Sequence, residues 1–195
     1  MRAFLAVPVR PPADRPVRDL IEGMRRRVAG VRWVDTTTTH ITLHFFAELP
    51  ADSIPAVVAA VSSAAAGHRP FSLHLGELGS FPPTTPTEAG RRARPPHVLW
   101  LGLGEASPAL NTLAADVQAG VAACGFELDR RPFRAHVTLG RPAPRFDAGA
   151  WRAELEAAPE FPVFIADRVV LFESRDGHHV REVMALGAGA KAAPR

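Results

Sequence analysis

One four-residue pattern occurs twice in this chain, and each copy lies inside an alternating, strand-like run. The pattern reads His-Ile-Thr-Leu at residues 40–43, within the run 39–46, and His-Val-Thr-Leu at residues 136–139, within the run 134–140. Side chains on a strand alternate between two faces, so positions i and i+2 point the same way, about 6.6 Å apart. Each copy therefore predicts a strand with histidine and threonine on one face and aliphatic residues buried behind them.

A strand face that carries these two residue types is suited to phosphoester chemistry. Imidazole changes its protonation near neutral pH, so His40 and His136 allow one general acid and one general base in a single displacement. The hydroxyls of Thr42 and Thr138 can donate to the oxygens of a phosphoryl group. The arrangement predicts catalysis without a metal or cofactor. His40 and His44 would lie about 13 Å apart on a strand, too far to share a metal ion.

Strand-like and helix-like segments alternate around each copy. Strands are predicted at 3–9, 39–46, 71–78, 97–103, 134–140, within 161–173 and at 181–186, and helices at 17–28, 52–66, 107–123 and 147–158. The repeat predicts a single α+β domain over residues 1–195, with two similar lobes that face each other across a cleft. The loop 81–96, rich in Pro, Thr and Arg, is the predicted lobe boundary, and 187–195 is a predicted frayed tail.

Composition indicates the cellular compartment and the kind of ligand that the protein is suited to. Cys124 is the single cysteine, which excludes an intrachain disulfide and favours a cytoplasmic location. Hydrophobic runs are too short to span a membrane, and the sequence indicates a monomer. The net charge is only +3, and Lys191 is the only lysine. The many arginines suit phosphate binding, although the coding bias of a GC-rich genome explains the same composition.

Residues before the second motif are further candidates for contact with a polyanion. Arg134 and its neighbours Arg130 and Arg131 surround Phe133, and they form either a lip that meets RNA phosphates or a solvated charged surface. Phe133 and Phe45 are possible stacking platforms for bases. The alternation of the first strand favours core packing for Phe45. The pair His178-His179 is predicted to form a turn.

These motifs and their flanking residues resemble the 2H phosphoesterase superfamily, and within it the RNA 2′,3′-cyclic phosphodiesterases, also described as 2′–5′ RNA ligases. The matching stretches are 2–7, 32–34, 40–46, 78–82, 98–102, 131–141 and 171–174. The resemblance implies a bilobal fold with antiparallel sheets lining a central cleft. It also implies hydrolysis of RNA ends or nucleotides that carry a 2′,3′-cyclic phosphate, yielding a 2′-phosphate without a metal.

The resemblance assigns roles to individual residues. It implies that His40 donates a proton to the leaving 3′ oxygen, that His136 activates water, and that Thr42 and Thr138 hold the phosphate. It also places Arg141 in the site. This chain departs from the family in its final strand, where an aromatic residue is common and residues 178–183 contain no Phe, Tyr or Trp.

Other functions remain compatible with the sequence. The same residues could grip an RNA end without turnover, although binding alone would be served better by Arg or Lys. The chemistry could also act on small cyclic nucleotides or on a cyclic phosphate of ADP-ribose. The sequence does not decide between hydrolysis and the reverse ligation.

Overall fold

The computed structural model describes residues 1–83, 95–157 and 159–187. Within them lie four α-helices and ten strands. The helices are α1 (Asp14–Arg27), α2 (Ile54–Ala66), α3 (Pro108–Ala123) and α4 (Ala148–Glu156). The strands are β1 (Ala3–Pro8), β2 (Val31–Trp33), β3 (His40–Phe46), β4 (Phe71–Leu73), β5 (Leu75–Phe81), β6 (Val98–Leu103), β7 (His136–Pro142), β8 (Phe164–Ala166), β9 (Arg168–Ser174) and β10 (His178–Ala185).

Eight of these strands form one antiparallel sheet. Its order is β10-β9-β1-β3-β7-β6-β5, with β2 also paired to β7, while β4 and β8 form a separate pair. The two motif strands are central neighbours, and they meet at one residue pair, Ile41 opposite Val137. Each half of the sheet thus contributes one motif strand at its inner edge. The predicted α+β class with antiparallel sheets is confirmed.

The core lies between the sheet and helices α2 and α3, which pack against each other. Ile41 and Val137 point into it and are 0% and 1% exposed. Helix α3 begins where the Ser107 hydroxyl accepts the Leu110 N–H, a standard N-cap. Because the aliphatic residues of both motifs are buried against this layer, His40 and His136 are directed to the opposite face of the sheet.

A β-bulge interrupts β3 at Leu43, the last residue of the first motif. Ala6 pairs with Thr42 but Leu5 pairs with His44, so Leu43 has no partner on β1. The Leu43 carbonyl instead accepts a hydrogen bond of 3.0 Å from the Gln118 side chain of α3. The bulge inverts the alternation beyond it. Phe45, predicted from strand parity to pack in the core, is 47% exposed, so that prediction is wrong.

The loop 81–96 does not divide the two halves of the sheet. The strands on either side of it, β5 and β6, pair with each other, and Phe81 lies opposite Val98. The other half joins β1 and β3 near the N-terminus to β9 and β10 near the C-terminus. The halves are therefore interleaved in sequence, and the predicted lobe boundary does not fit this pairing. Residues 84–94 and the predicted tail at 188–195 lie outside the described residues.

Two strands extend beyond their predicted limits. β7 continues through Gly140 to Pro142 because β2, which was not predicted, pairs with its end. β10 begins at His178, where the sequence predicted a turn, so that prediction is wrong. The predicted strand 71–78 is in fact two strands, since the chain changes from the two-stranded to the eight-stranded sheet at His74.

None of the helices found in the described residues has the length and apolar character needed to cross a bilayer.

Candidate active site

The two motifs come together where β3 meets β7. Ile41 and Val137 are the one pair matched between these two strands in the described residues, so both motifs approach the same point of the sheet. His40, Thr42, His136 and Thr138 are partly buried. Alternation from the buried Ile41 and Val137 directs them to the face away from the helices. The two imidazoles are near enough that the charge of His136 affects the pKa of His40.

The hydrogen bond that orients each imidazole is the same in both motifs. The Nδ1–H of His40 donates to the Thr38 carbonyl at 2.7 Å, and the Nδ1–H of His136 donates to the Arg134 carbonyl at 2.6 Å. A carbonyl can only accept, so Nδ1 must carry a proton in each ring. In the neutral form Nε2 then carries a lone pair, and it is the atom of each ring available for proton transfer.

Burial lowers the pKa of both imidazoles. The pKa of His40 falls from 6.5 to about 4, mainly because burial penalises its charged form. The hydrogen bond to Thr38 opposes this shift, while the nearby charges of His178 and His136 add to it. Burial likewise lowers the pKa of His136. The hydrogen bond to the Arg134 carbonyl opposes this shift, and the charges of Arg134 and Arg141 lower the pKa further. Both rings are therefore neutral at pH 7 in the free protein.

Aromatic rings surround His40. Its ring stacks on Phe4, with centroids 4.6 Å apart, and lies 5.7 Å from Phe172. The imidazole of His178 meets His40 edge-on at 5.2 Å and Phe4 edge-on at 4.9 Å. His178 thus supplies a ring at the start of the final strand, where the sequence lacks Phe, Tyr and Trp. No local sequence signal indicates this contact, because it depends on the pairing of β10 with β9.

Thr38 links two imidazoles of the site. Its carbonyl holds His40, and its hydroxyl lies 3.1 Å from Nδ1 of His178. The short turn Thr36–Thr38 that carries it is capped by Asp35, whose carboxylate accepts the Thr37 N–H at 2.8 Å. The turn before β3 therefore fixes the orientation of His40 through the Thr38 carbonyl.

A pocket of about 460 Å³ opens beside His136. Phe81 meets the imidazole edge-on at 5.1 Å, and Trp100 lies 6.5 Å away. Phe133 and Arg134, both predicted to contact substrate, line this pocket, and the Arg134 guanidinium lies 5.6 Å from the centre of the Phe81 ring. The pocket therefore combines aromatic surface with a positive charge.

The remaining predicted arginines have different surroundings. Arg141 is exposed and lies opposite Arg32 in the β2–β7 register. Its charge reaches His136, as the lowered pKa of that ring indicates. Arg131 forms a hydrogen-bonded ion pair with Asp129 at 2.5 Å, so it is not free to meet a ligand without breaking that pair. Over 1–83, 95–157 and 159–187, His, Cys, Asp and Glu form no group of three that could hold a metal ion.

Comparison with known proteins identifies the family of this chain. A sequence model of the 2′-5′ RNA ligase superfamily matches residues 11–178. An RNA 2′,3′-cyclic phosphodiesterase of Geobacillus stearothermophilus is 32% identical over 157 residues, which are 80% of this chain but 44% of that protein. The match therefore spans less than half the length of that relative.

Two further similarities cover nearly all of both chains. An RNA 2′,3′-cyclic phosphodiesterase of Thermotoga maritima is 26% identical over 175 residues, 89% of this chain and 87% of that protein. The crystal structure of TT0787 from Thermus thermophilus has a TM-score of 0.72 at 24% identity and covers 96% of this chain and 98% of its own, so the fold is shared. The family match and the paired motif strands together establish that this chain belongs to the 2′-5′ RNA ligase superfamily.

Proposed function

We propose that this protein is a metal-independent phosphodiesterase that hydrolyses the 2′,3′-cyclic phosphate at an RNA end to a 2′-phosphate. The observation that carries the proposal is the pairing of Ile41 with Val137, which brings the two motif strands together with both histidines on one face of the sheet. Relatives named RNA 2′,3′-cyclic phosphodiesterases, from two bacteria, support the reaction class.

The chemistry requires one proton acceptor and one proton donor. Nε2 of His136 takes a proton from water, and the water oxygen attacks phosphorus in line with the bond to the 3′ oxygen. That bond breaks, and the 3′ oxygen takes the proton from Nε2 of His40. The hydroxyls of Thr42 and Thr138 donate to the non-bridging oxygens, where negative charge grows in the transition state. Both rings are held for this by their Nδ1 hydrogen bonds.

The substrate itself supplies the condition for His40 to act as acid. With a pKa of about 4, only about one His40 in a thousand is protonated at pH 7 in the free protein. A phosphodiester carries a negative charge, which stabilises an imidazolium beside it and raises its pKa. Binding and proton uptake are therefore coupled, and the acid forms where the leaving oxygen needs it.

The positive charges near His136 favour RNA as the substrate. Arg134 lines the pocket beside that ring, and Arg141 is close enough to affect its pKa. Arginine binds phosphate oxygens in bidentate geometry. A 5′-hydroxyl that takes the place of water would attack the same phosphorus, the bond to the 3′ oxygen would break, and a 2′–5′ phosphodiester would form, which is ligation. A cytoplasmic location and a monomeric state stay predictions from the sequence.

The test is hydrolysis of a short RNA ending in a 2′,3′-cyclic phosphate. His40→Ala and His136→Ala are each expected to lower kcat by about 10²- to 10⁴-fold, the usual contribution of a general acid or base. His68→Ala is the matched control, because that ring bonds Asp116 between α2 and α3, on the core side of the sheet. Activity should survive EDTA.

Two outcomes would reject this proposal. Full activity in either motif variant would remove the paired mechanism. Tight, salt-sensitive binding of the RNA with no product would instead identify a module that binds RNA ends without turnover.

A further inference from the structure

The β3 bulge turns an aromatic ring onto the face that carries the motif histidines. Beyond Leu43 the register sets Phe45 opposite Phe4, and directly opposed residues of an antiparallel pair project from the same face. Phe4 stacks on His40, so its face is that of the candidate active site. Phe45 therefore lies on the active-site face, at the end of β3 away from His40.

Much of the Phe45 ring is open to solvent. It is 47% exposed, and it is the one aromatic residue among the large hydrophobic side chains that are exposed in the described part of the chain. Its neighbours His44 and Phe46 are 7% and 3% exposed. An exposed phenyl ring beside a polar reaction site has the character of a stacking surface, because every nucleobase has a flat face that can cover it.

Arg2 adds a positive charge to this ring. Its guanidinium carbon lies 5.5 Å from the centre of the Phe45 ring. Arg2 is exposed and is two residues from Phe4, so it shares the same strand face. None of the salt bridges within the described residues involves Arg2. A planar cation next to an aromatic ring is complementary to a nucleotide, because the base can stack on the ring and the phosphate can bind the cation.

Distance along the strand identifies which nucleotide this would be. On β1, which has no extra residue, Val7 lies opposite Ile41 and Phe4 lies opposite Phe45. These three residue steps set Phe45 about 10 Å along the sheet from Ile41, where the two motif strands meet. The base of the nucleotide that carries the cyclic phosphate is attached to the same ribose and stays within a few bonds of that phosphate. A ring about 10 Å from the point where the motifs meet is placed for the adjoining nucleotide.

We propose that Phe45 and Arg2 form a subsite for the nucleotide that precedes the terminal one, so that the substrate is an RNA chain rather than a mononucleotide. This inference rests on the proposed function, since it takes the phosphate to lie between the two motifs. The base stacks on the Phe45 ring, and Arg2 contacts the phosphate that links the two nucleotides.

The experiment compares kcat/KM for a trinucleotide and for a mononucleotide, both ending in a 2′,3′-cyclic phosphate. Phe45→Ala should lower the trinucleotide-to-mononucleotide ratio by roughly 5- to 150-fold, the range measured for one base–aromatic stack. Phe45→Trp should keep the ratio, and Phe45→Leu should lose it. Arg2→Gln should reduce the salt dependence of kcat/KM on the trinucleotide alone. Ile165→Ala, a half-exposed position in the separate two-stranded sheet, is the control and should leave the ratio unchanged.

The outcomes separate this inference from the proposed function. Mononucleotide turnover by the wild type tests the reaction, while the ratio tests the subsite. An equal loss on both substrates in Phe45→Ala, or no loss on either, would overturn the subsite. If the wild type turns over neither substrate, calorimetric binding of a trinucleotide that ends in a 2′-phosphate decides the question. Equal affinity of the wild type and Phe45→Ala would then overturn the subsite, and weaker binding by the variant would support it.

Discussion

The low pKa of His40 has a consequence for stability that can be measured without any substrate. In the unfolded chain a histidine titrates near 6.5, whereas in the folded protein the pKa of His40 is about 4. Between these values the unfolded chain binds a proton that the folded protein does not. Stability must therefore fall as the pH drops from 6.5 to 4, by up to about 1.4 kcal/mol per pH unit.

The size of the effect follows from the difference between the two pKa values. Lowering the pKa of His40 from 6.5 to about 4 corresponds to about 3 kcal/mol of unfolding free energy at pH 4, relative to pH 7. This is a large fraction of the stability of an ordinary domain, about 5–15 kcal/mol. His40→Gln removes the titrating group and keeps a polar side chain of similar size. The wild type should thus lose about 3 kcal/mol more than His40→Gln between pH 7 and pH 4.

Urea denaturation of both proteins at pH 7 and pH 4, followed by circular dichroism, measures this difference. Other groups that titrate in this range, including His136 and the carboxylates, are present in both proteins and largely cancel in the comparison. Equal losses in the wild type and His40→Gln would refute the claim that burial against Phe4 excludes the proton. A direct check is the NMR titration of the His40 ring, which should move to higher pH when inorganic phosphate is added.

Three further predictions concern the site and its supports. The pKa of His40 is about 4, and burial also lowers the pKa of His136. Since kcat/KM reports the protonation states of the free enzyme, it should peak between about pH 4 and 6.5. A maximum at pH 8 or above would contradict these protonation states. Thr138→Val should lower kcat by about 10²- to 10³-fold, the usual loss for one donor to a developing anion, and Thr138→Ser should restore most of it; equal rates in both would exclude the hydroxyl from the reaction. Gly79→Ala should lower both Tm and kcat, because the added methyl group meets the Trp100 ring beside His136. Gly149→Ala, on an exposed turn of α4, is the control. An unchanged Tm in Gly79→Ala would show that Trp100 can move aside.

The period of two within each motif was enough to predict which side chains share a face of the sheet. Because Ile41 and Val137 are aliphatic, they had to be buried, and His40 and His136 had to share the other face with Thr42 and Thr138. What the pattern could not supply was the partner of each strand. β3 and β7 are neighbours although about a hundred residues separate them, and β1 joins β9 across nearly the whole chain. Pairing between strands so far apart in sequence depends on the packing of the complete sheet. It cannot be predicted from the residues of either strand alone.

His178 was missed for the same reason. Two consecutive histidines after Gly177 read locally as a turn, since glycine favours one. In the folded chain β9 pairs with β10 from Ser174 and His178 onward, and this pairing carries the imidazole to Phe4 and His40. The final strand therefore does place a ring beside His40, an imidazole whose Nδ1 lies 3.1 Å from the Thr38 hydroxyl.

The bulge at Leu43 sets the limit of any argument from strand alternation. One unpaired residue inverts the faces of every residue after it, so the rule that correctly placed Thr42 misplaced Phe45. The freed Leu43 carbonyl is satisfied by Gln118, 75 residues away on α3. The residues around Leu43 in the sequence do not predict that hydrogen bond. A strand face can therefore be predicted from its pattern up to the first bulge, and here that boundary separates Thr42 from the ring proposed to bind the next base.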